Sequence, residues 1–318
     1  MGFWASAHCE ASAETHASQE PDRQSKIIFM GSGSSTGTPR PYCVYPENLQ
    51  LPKCRTSQLA LSTVPELNKN YRGNPALLIQ TAQHKNIQID VGKTFRENVV
   101  RWYPRHNVNS LDAVILTHGH ADAFFGLDDL RGLQAPGRTV EPLKVFVNEC
   151  TLDAVRTTFP YLALPPPADA TVKRWVASLT FPLIKPFEKF EAAGLDLVPV
   201  PLVHGEDCIC LGFVFGERER VVYLSDVSRV PPETENYLLG LGQIDVLIVD
   251  ALFKERKHPT HFSLPESLEF IRKVKPKRAF LIGMSDDIEH EAVSTMLAQL
   301  TDVDVELSYD GLAIDVNL

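Results

Sequence analysis

Two histidines and an aspartate, each separated by one residue, follow an aliphatic run in the segment AVILTHGHAD. The run predicts a strand, which places His118, His120 and Asp122 on the loop after it. Neutral imidazole is a common zinc ligand, and two imidazoles at this spacing can bind one ion. The spacing indicates a metal site, although an isolated pair of this kind ends a strand without binding metal about as often.

Three other predicted strands also end at a residue that can bind metal. Asp90 follows NIQI, His204 follows VPVPLV, and Asp226 follows VVYLS. In each case a hydrophobic strand gives way to a loop that contains glycine or serine, and sites commonly assemble on loops held by a rigid scaffold. Four strand ends of this type predict a single metal site built from several loops.

The elements that position these residues follow from the hydrophobic patterns. The first half predicts the strands KIIFMGSG, ALLIQ, NIQIDVG, AVILTH and LKVFVN, with helices over about 94–103, over 126–133 and after 151. The second half predicts the strands LDLVPVPLVHG, CICLGFVFG, RVVYLSDVS, VLIVDAL, RAFLIGM, VELSY and LAIDV, with helices over about 264–274 and 289–300. Since no break in composition separates the halves, we expect one α+β domain in which two sheets pack face to face between helices.

Composition and charge exclude several classes of protein. The chain has 318 residues, of which 44% are hydrophobic and 22% charged, and no long apolar run predicts a membrane span. Its net charge of −9 argues against a nucleic-acid polymer as a partner, and we interpret the basic run KERK at 254–257 as a solvated surface. Six scattered cysteines without a C-x-x-C pair favour a cytoplasmic protein without a disulfide framework.

The N-terminal segment differs from the rest of the chain. Residues 1–25 are rich in alanine, serine and glutamate and have no hydrophobic period, so we expect a disordered tail. The folded domain is then expected over 26–318.

Taken together, Asp90, the motif THGHAD, His204, Asp226 and the early glycine-rich MGSGSSTGTP resemble the metallo-β-lactamase superfamily, from about Lys26 to the C-terminus. The segments THGHADAFFGLDDLR, HPTHFSLPESLEF and SYDGLAID are similar to the branch that contains the cyclic-phosphate phosphodiesterase of phosphonate breakdown. The resemblance implies an αββα sandwich with a hydrolytic site for one or two divalent metals.

The resemblance also implies a role for each candidate ligand. His118, His120 and His204 match the three imidazole ligands of the first metal. Asp226 matches the carboxylate that bridges two metals, and Asp122 matches a ligand of the second.

Three residues are candidates for a catalytic role. Asp90 matches a carboxylate that orients a ligand imidazole from the side of the ring away from the metal. Asp122 is expected to help accept a proton. His261, in HPTHFSLPE, matches an active-site histidine that binds no metal but contacts the substrate phosphate or acts as a general acid.

Two departures from the family pattern affect the second metal. Ala123 and Gly283 stand where the family carries histidine ligands, so we expect one tight site for zinc or manganese and a second, weakened site with oxygen ligands. Cys43 and Cys54 lie where relatives carry a tighter cysteine cluster for a structural zinc. Here the spacing is wider and Asp286 replaces a histidine, which leaves open both a structural zinc and a role for Asp286 as a ligand.

The residues indicate a metal-dependent hydrolase, and the resemblance implies a small, linear or cyclic phosphodiester as its substrate. A divalent ion would lower the pKa of its bound water toward neutrality and supply a hydroxide for attack. The expected binding partner is this small molecule, and we expect no association with a membrane. A homodimer is one of the expected oligomeric states. Two alternatives stay open: a lactonase or thioesterase on the same fold, and a degenerate, non-enzymatic member that binds a metal or ligand.

Overall fold

Two seven-stranded sheets form the centre of the protein in the computed structural model, which describes residues 24–45, 54–134, 141–164, 175–300 and 302–318. The first sheet has the order β14-β1-β2-β3-β4-β5-β6, and the second has the order β13-β12-β11-β10-β9-β8-β7. The strands of the first sheet are β1 (Ser25–Gly31), β2 (Ala76–Gln80), β3 (Asn86–Ile89), β4 (Ala113–Ile115), β5 (Leu143–Phe146), β6 (Leu179–Thr180) and β14 (Ala313–Val316). Those of the second are β7 (Phe190–Ala192), β8 (Leu195–Val203), β9 (Ile209–Phe215), β10 (Val221–Leu224), β11 (Val246–Asp250), β12 (Arg278–Ile282) and β13 (Val305–Leu307).

Helices cover the outer faces of both sheets. The α-helices are α1 (Pro41–Val44), α2 (Arg55–Ala60), α3 (Phe95–Trp102), α4 (Ala121–Phe124), α5 (Glu149–Thr158), α6 (Pro160–Ala163), α7 (Pro232–Gly240), α8 (Leu264–Val274) and α9 (His290–Leu297). Short 3-10 helices cover Pro65–Leu67, Pro104–His106 and Phe125–Leu133. None of the helices in the described part of the chain is long and apolar enough to cross a membrane.

The main hydrophobic core lies between the two sheets. It contains Phe29 and Ile89 from the first sheet and Phe213, Tyr223 and Phe280 from the second, all essentially inaccessible to solvent. The rings of Phe29 and Phe280 contact each other across the sandwich, with centroids 5.7 Å apart. Separate clusters join each sheet to its own helices. The predicted αββα sandwich is therefore confirmed.

Strand direction brings the candidate residues to one edge. β3, β4 and β5 run parallel, so the loops after β3 and β4 leave the first sheet on the same side. β8 and β10 are both antiparallel to β9, and β10, β11 and β12 are parallel, so these four strands also end on a common side. A hydrogen bond of 2.9 Å from the Leu211 amide to the Thr117 carbonyl joins the sheets at this edge.

The N-terminal boundary differs by one residue from the prediction. Ser25 belongs to β1 and is buried, and its hydroxyl accepts the Ala82 amide at 3.0 Å. The rest of the predicted tail, apart from residue 24, lies outside the described residues. α7 was not predicted, because PETENYLLG has little amphipathic character.

Candidate metal centre

Three imidazoles meet at the common edge of the sheets. His118 and His120 follow β4, and His204 follows β8. Their ring centroids are 4.7 to 5.1 Å apart, and one ring nitrogen from each lies within 4.8 Å of the other two. Such a cluster would hold three cations in close contact if the rings were protonated. It therefore suits three neutral imidazoles that share one bound cation.

Hydrogen bonds fix the tautomers of two of these rings. The Thr117 hydroxyl donates to Asp90 Oδ2 at 2.8 Å, so its oxygen accepts from His118 Nδ1–H, also at 2.8 Å. His204 Nδ1–H donates to the Thr260 carbonyl at 2.8 Å. Each ring thus retains its lone pair on Nε2, which is the atom left for a metal.

Burial supports the same conclusion for His118. Its Nε2 is fully buried and has no hydrogen-bond partner among the described residues. Burial lowers the pKa of this ring to about 3, so the ring is neutral near pH 7. A buried lone pair without a donor is costly, and a bound cation would satisfy it. The residues therefore fit the divalent metal that the sequence predicts.

Asp226 lies beside the imidazoles, directly after β10. It is buried, and its backbone has φ 51°, a left-handed conformation that aspartate tolerates better than most residues. One carboxylate oxygen lies within 4.8 Å of ligand nitrogens of His204 and His261, which forms a second triplet sharing His204 with the first. Burial alone would raise the pKa of Asp226, but the neighbouring imidazoles hold it below its usual range.

Asp90 acts through Thr117 and makes no direct hydrogen bond to an imidazole. Its two carboxylate oxygens accept the Thr117 amide at 2.9 Å and the Thr117 hydroxyl at 2.8 Å. It is fully buried, and burial raises its pKa well above the usual value. Its role is therefore to support His118 through one intervening hydroxyl.

Asp122 is brought to the edge of the site but not into either cluster. It is buried in the first turn of α4, and the clusters of possible ligands among the described residues do not include it. Burial, followed by the nearby charge of Asp226, raises its pKa to about 6. A carboxylate with this pKa is mostly ionised near pH 7 and is chemically able to accept a proton, while its predicted roles as a metal ligand and proton acceptor stay predictions.

His261 is held by a carboxylate that the sequence did not assign to the site. Its Nδ1–H donates to Asp250 Oδ2 at 2.8 Å and lies 4.0 Å from Asp226 Oδ1. Burial alone would lower the pKa of His261, but Asp250 and Asp226 raise it to about 9. A capping box between Ser263 and Glu266 begins α8 immediately after this histidine and fixes the loop that carries it.

Asp250 also explains why position 283 has no side chain. Gly283 has φ 76°, and a Cβ atom there would lie 2.2 Å from Asp250 Oδ1. Any larger residue would meet this carboxylate and would also be strained in its backbone. Ala123, which is 2% exposed, contributes only a methyl group. Neither position where the family carries a histidine ligand provides one here.

Cys43, Cys54 and Asp286 form a third group, whose ligand atoms lie within 4.8 Å of one another. Asp286 Oδ1 already forms an ion pair with Arg40 Nε at 2.9 Å, and the Cys43 thiol donates to Asp286 Oδ2 at 3.3 Å. Burial, together with Asp286, raises the pKa of Cys43 to about 11, which keeps the thiol protonated. Arg40 supplies the positive charge in this group, and we assign no metal to it.

Comparisons with known proteins agree with this fold. Residues 85–284 match a family described as the beta-lactamase superfamily domain. The chain is similar to the crystal structure of a diphosphatase from the PhnP family, with 28% identity, a TM-score of 0.73, and coverage of 92% of this chain and 98% of that one. It is similar in fold to zinc-bound PqqB from Methylobacterium extorquens, at 16% identity, a TM-score of 0.67, and coverage of 92% and 100%.

A curated relative is an octanoyltransferase of Porphyromonas gingivalis, strain ATCC BAA-308 / W83. The two are 28% identical over 287 residues, which cover 90% of this chain and 51% of that protein. This chain thus spans about half the length of the curated relative.

Replacing Thr117 with valine tests the hydrogen-bond chain behind His118. Valine keeps the shape but removes the hydroxyl between Asp90 and His118, so the tautomer of the ring is no longer fixed. We expect metal affinity to fall by about 10- to 100-fold, measured by competition with a chelator. Thr117→Ser, which retains the hydroxyl, should stay close to wild type. Equal affinities for both variants would contradict the role assigned to Thr117.

Proposed function

Because the chain belongs to the β-lactamase superfamily, we propose that it is a metal-dependent hydrolase that cleaves a P–O bond of a small, linear or cyclic phosphodiester. The observation that carries this proposal is the pairing of His261 with Asp250 beside the cluster of three imidazoles. This arrangement places the imidazole of His261, which Asp250 orients, beside three other imidazoles that are enough to hold one metal ion.

The protein's own side chains have separate tasks in this reaction. When bound, the metal would supply Lewis-acid activation of water and of the phosphoryl oxygen. His118, His120 and His204 would hold it, with Asp226 beside them. Asp122, buried next to Asp226, takes up a proton released from the attacking water.

His261 orients the substrate and protonates the leaving oxygen. Its Nδ1–H is committed to Asp250, so Nε2 is the atom that faces the reaction. A carboxylate partner favours the imidazolium form, whose positive charge attracts a phosphate anion. A neutral ester or lactone carries no such charge. The similarity to the PhnP-family diphosphatase also supports a reaction at phosphorus.

Hydrolytic activity on three classes of substrate distinguishes this proposal from its alternatives. The protein, loaded with zinc or manganese, is expected to hydrolyse bis(p-nitrophenyl) phosphate and to leave a lactone and an octanoyl thioester unchanged. The thioester is included because the relative from Porphyromonas gingivalis is an octanoyltransferase. Turnover of the lactone or thioester without turnover of the phosphodiester would refute the proposal and favour carbonyl chemistry.

His261→Gln tests whether the protein is an enzyme or only binds a metal. We expect kcat for the phosphodiester to fall by roughly 10²- to 10⁴-fold, because the general acid is lost, while the tightly bound equivalent of metal remains. His106→Gln is the control, since His106 Nε2 contacts the Gly311 carbonyl away from the metal centre. A His261→Gln variant with unchanged activity and ligand binding would favour a non-enzymatic member.

The metal content is expected to be unequal between the two sites. The first site has three imidazoles and Asp226, whereas alanine and glycine occupy positions 123 and 283, where the resemblance implies histidine ligands of a second metal. Oxygen-only sites favour manganese or magnesium over zinc. We expect about one equivalent of transition metal after dialysis, measured by elemental analysis, and activity that rises with millimolar manganese. Two tightly held zinc ions in the dialysed protein would show this to be wrong.

A further inference from the structure

Lys93 is a cation that the reaction described above does not use. It lies on the loop that follows β3, and it is exposed. Its ammonium donates to the Ser35 carbonyl at 2.5 Å and forms no ion pair with another residue of the described ranges. An ammonium carries three N–H groups, so the others remain for a further acceptor. The loop after β3 thus brings available positive charge to the edge at which the candidate ligands meet.

Close packing of two backbone segments places this lysine beside Asp122. Gly92 precedes Lys93, and a Cβ atom at Gly92 would lie 1.7 Å from the Asp122 carbonyl oxygen, so only glycine lets the two backbones meet. The same segments are joined by a hydrogen bond of 2.8 Å from the Val91 amide to the Ala123 carbonyl. The loop that carries Lys93 is therefore fixed against the start of α4.

Electrostatics also connects Lys93 with Asp122. Burial, followed by the nearby charge of Asp226, raises the pKa of Asp122 to about 6, whereas the positive charge of Lys93 acts in the opposite direction. The ammonium therefore lies within electrostatic reach of this carboxylate, although the two groups form no ion pair. The backbone contacts and the charge interaction thus place Lys93 at the same part of the site.

The acceptor of the Lys93 ammonium belongs to the glycine-rich turn after β1. Within this turn the Ser34 amide donates to the Met284 carbonyl at 3.1 Å, so the turn lies against the residue that follows position 283. Ser35 is the next residue of the turn. A chain of contacts through Lys93 thus connects positions 123 and 283, where the resemblance implies histidine ligands of a second metal.

Resting on the proposed function, we propose that Lys93 is a catalytic residue that contacts the scissile phosphoryl group on the side where the resemblance implies a second metal. Alanine and glycine at positions 123 and 283 provide no imidazole there, and the Lys93 ammonium supplies positive charge from the chain itself. Its available N–H groups donate to a non-bridging phosphoryl oxygen as charge-assisted hydrogen bonds. They stabilise the negative charge that develops on this oxygen during attack by water.

The same positive charge has a consequence for metal binding. A cation beside Asp122 repels a divalent ion that approaches the carboxylates of Asp122 and Asp226, and this repulsion is lost when the charge is removed. In protein whose first site is filled with zinc, we expect Lys93→Gln to bind added manganese roughly three- to tenfold more tightly than the wild type does. Electron paramagnetic resonance of free manganese measures this affinity without turnover. An affinity that does not rise would overturn the proposal.

Three variants test the catalytic role. We expect Lys93→Gln to lower kcat for bis(p-nitrophenyl) phosphate by roughly 10- to 100-fold, and Lys93→Arg, which keeps the charge, to stay within about threefold of the wild type. Asn74 Nδ2 also donates to the Ser35 carbonyl, at 3.0 Å, so the turn remains anchored in both. Lys85→Gln is the matched control, because Lys85 lies at the opposite end of β3 and pairs with Asp112 at 2.9 Å. The same kcat in all four proteins would contradict the proposal.

Phosphate binding separates failure of this proposal from failure of the proposed function. Inorganic phosphate is titrated by calorimetry into the zinc-loaded proteins, which requires no turnover. We expect at least tenfold weaker binding to Lys93→Gln than to the wild type and to Lys85→Gln, with melting temperatures that show all three to be folded. Equal affinities would refute the role of Lys93 even if the phosphodiester is hydrolysed. If no phosphodiester is hydrolysed but these binding differences are observed, the proposed phosphodiesterase function fails and the anion contact of Lys93 stands.

Discussion

The metal centre depends on one constraint: each buried imidazole must keep its lone pair on the nitrogen that faces the cluster. An unattached imidazole exchanges its proton between both nitrogens, and half of its tautomers would point an N–H at the metal. Here Thr117 and the Thr260 carbonyl each accept an Nδ1–H, at 2.8 Å. Thr117 can accept only because its own proton is committed to Asp90. The tautomers of His118 and His204 are therefore fixed by groups that lie outside the cluster of three imidazoles.

The two sheets contribute different halves of this arrangement. Asp90, Thr117 and His118 belong to the ends of β3 and β4, whereas His204 and Asp226 follow β8 and β10. The site consequently exists only when both sheets pack on their common core, in which Phe29 and Phe280 meet. Asp90 and Asp226 both have positive φ, at 63° and 51°, so two turns at the site are held in a conformation that aspartate seldom adopts. Backbone strain of this kind persists only where the surrounding structure enforces it.

The meeting of the candidate ligands at one edge could be predicted from the sequence because each one follows a hydrophobic strand, and strand ends meet at a sheet edge. His118, His204 and Asp226 all follow this rule. The supporting contacts could not be predicted, since they join residues that no local pattern connects. The Asp250–His261 pair spans a loop without regular spacing, and Arg40 meets Asp286 from the other end of the chain. Asp250 also ends a hydrophobic strand, VLIVD, but the sequence is compatible both with a carboxylate that supports the site and with a helix cap, and it does not choose between them.

Asp250 shows why a histidine at position 283 would not fit without other changes. Its Oδ2 orients His261, while its Oδ1 lies where the first side-chain atom of residue 283 would stand. A histidine at position 283 would displace the carboxylate that holds His261, and it would also force a left-handed backbone on a residue with a Cβ atom. The absence of a side chain at 283 and the placement of His261 are thus coupled through one carboxylate. Asp250 thereby fixes an imidazole beside the cluster of three histidines and, at the same time, leaves no room for a side chain at position 283.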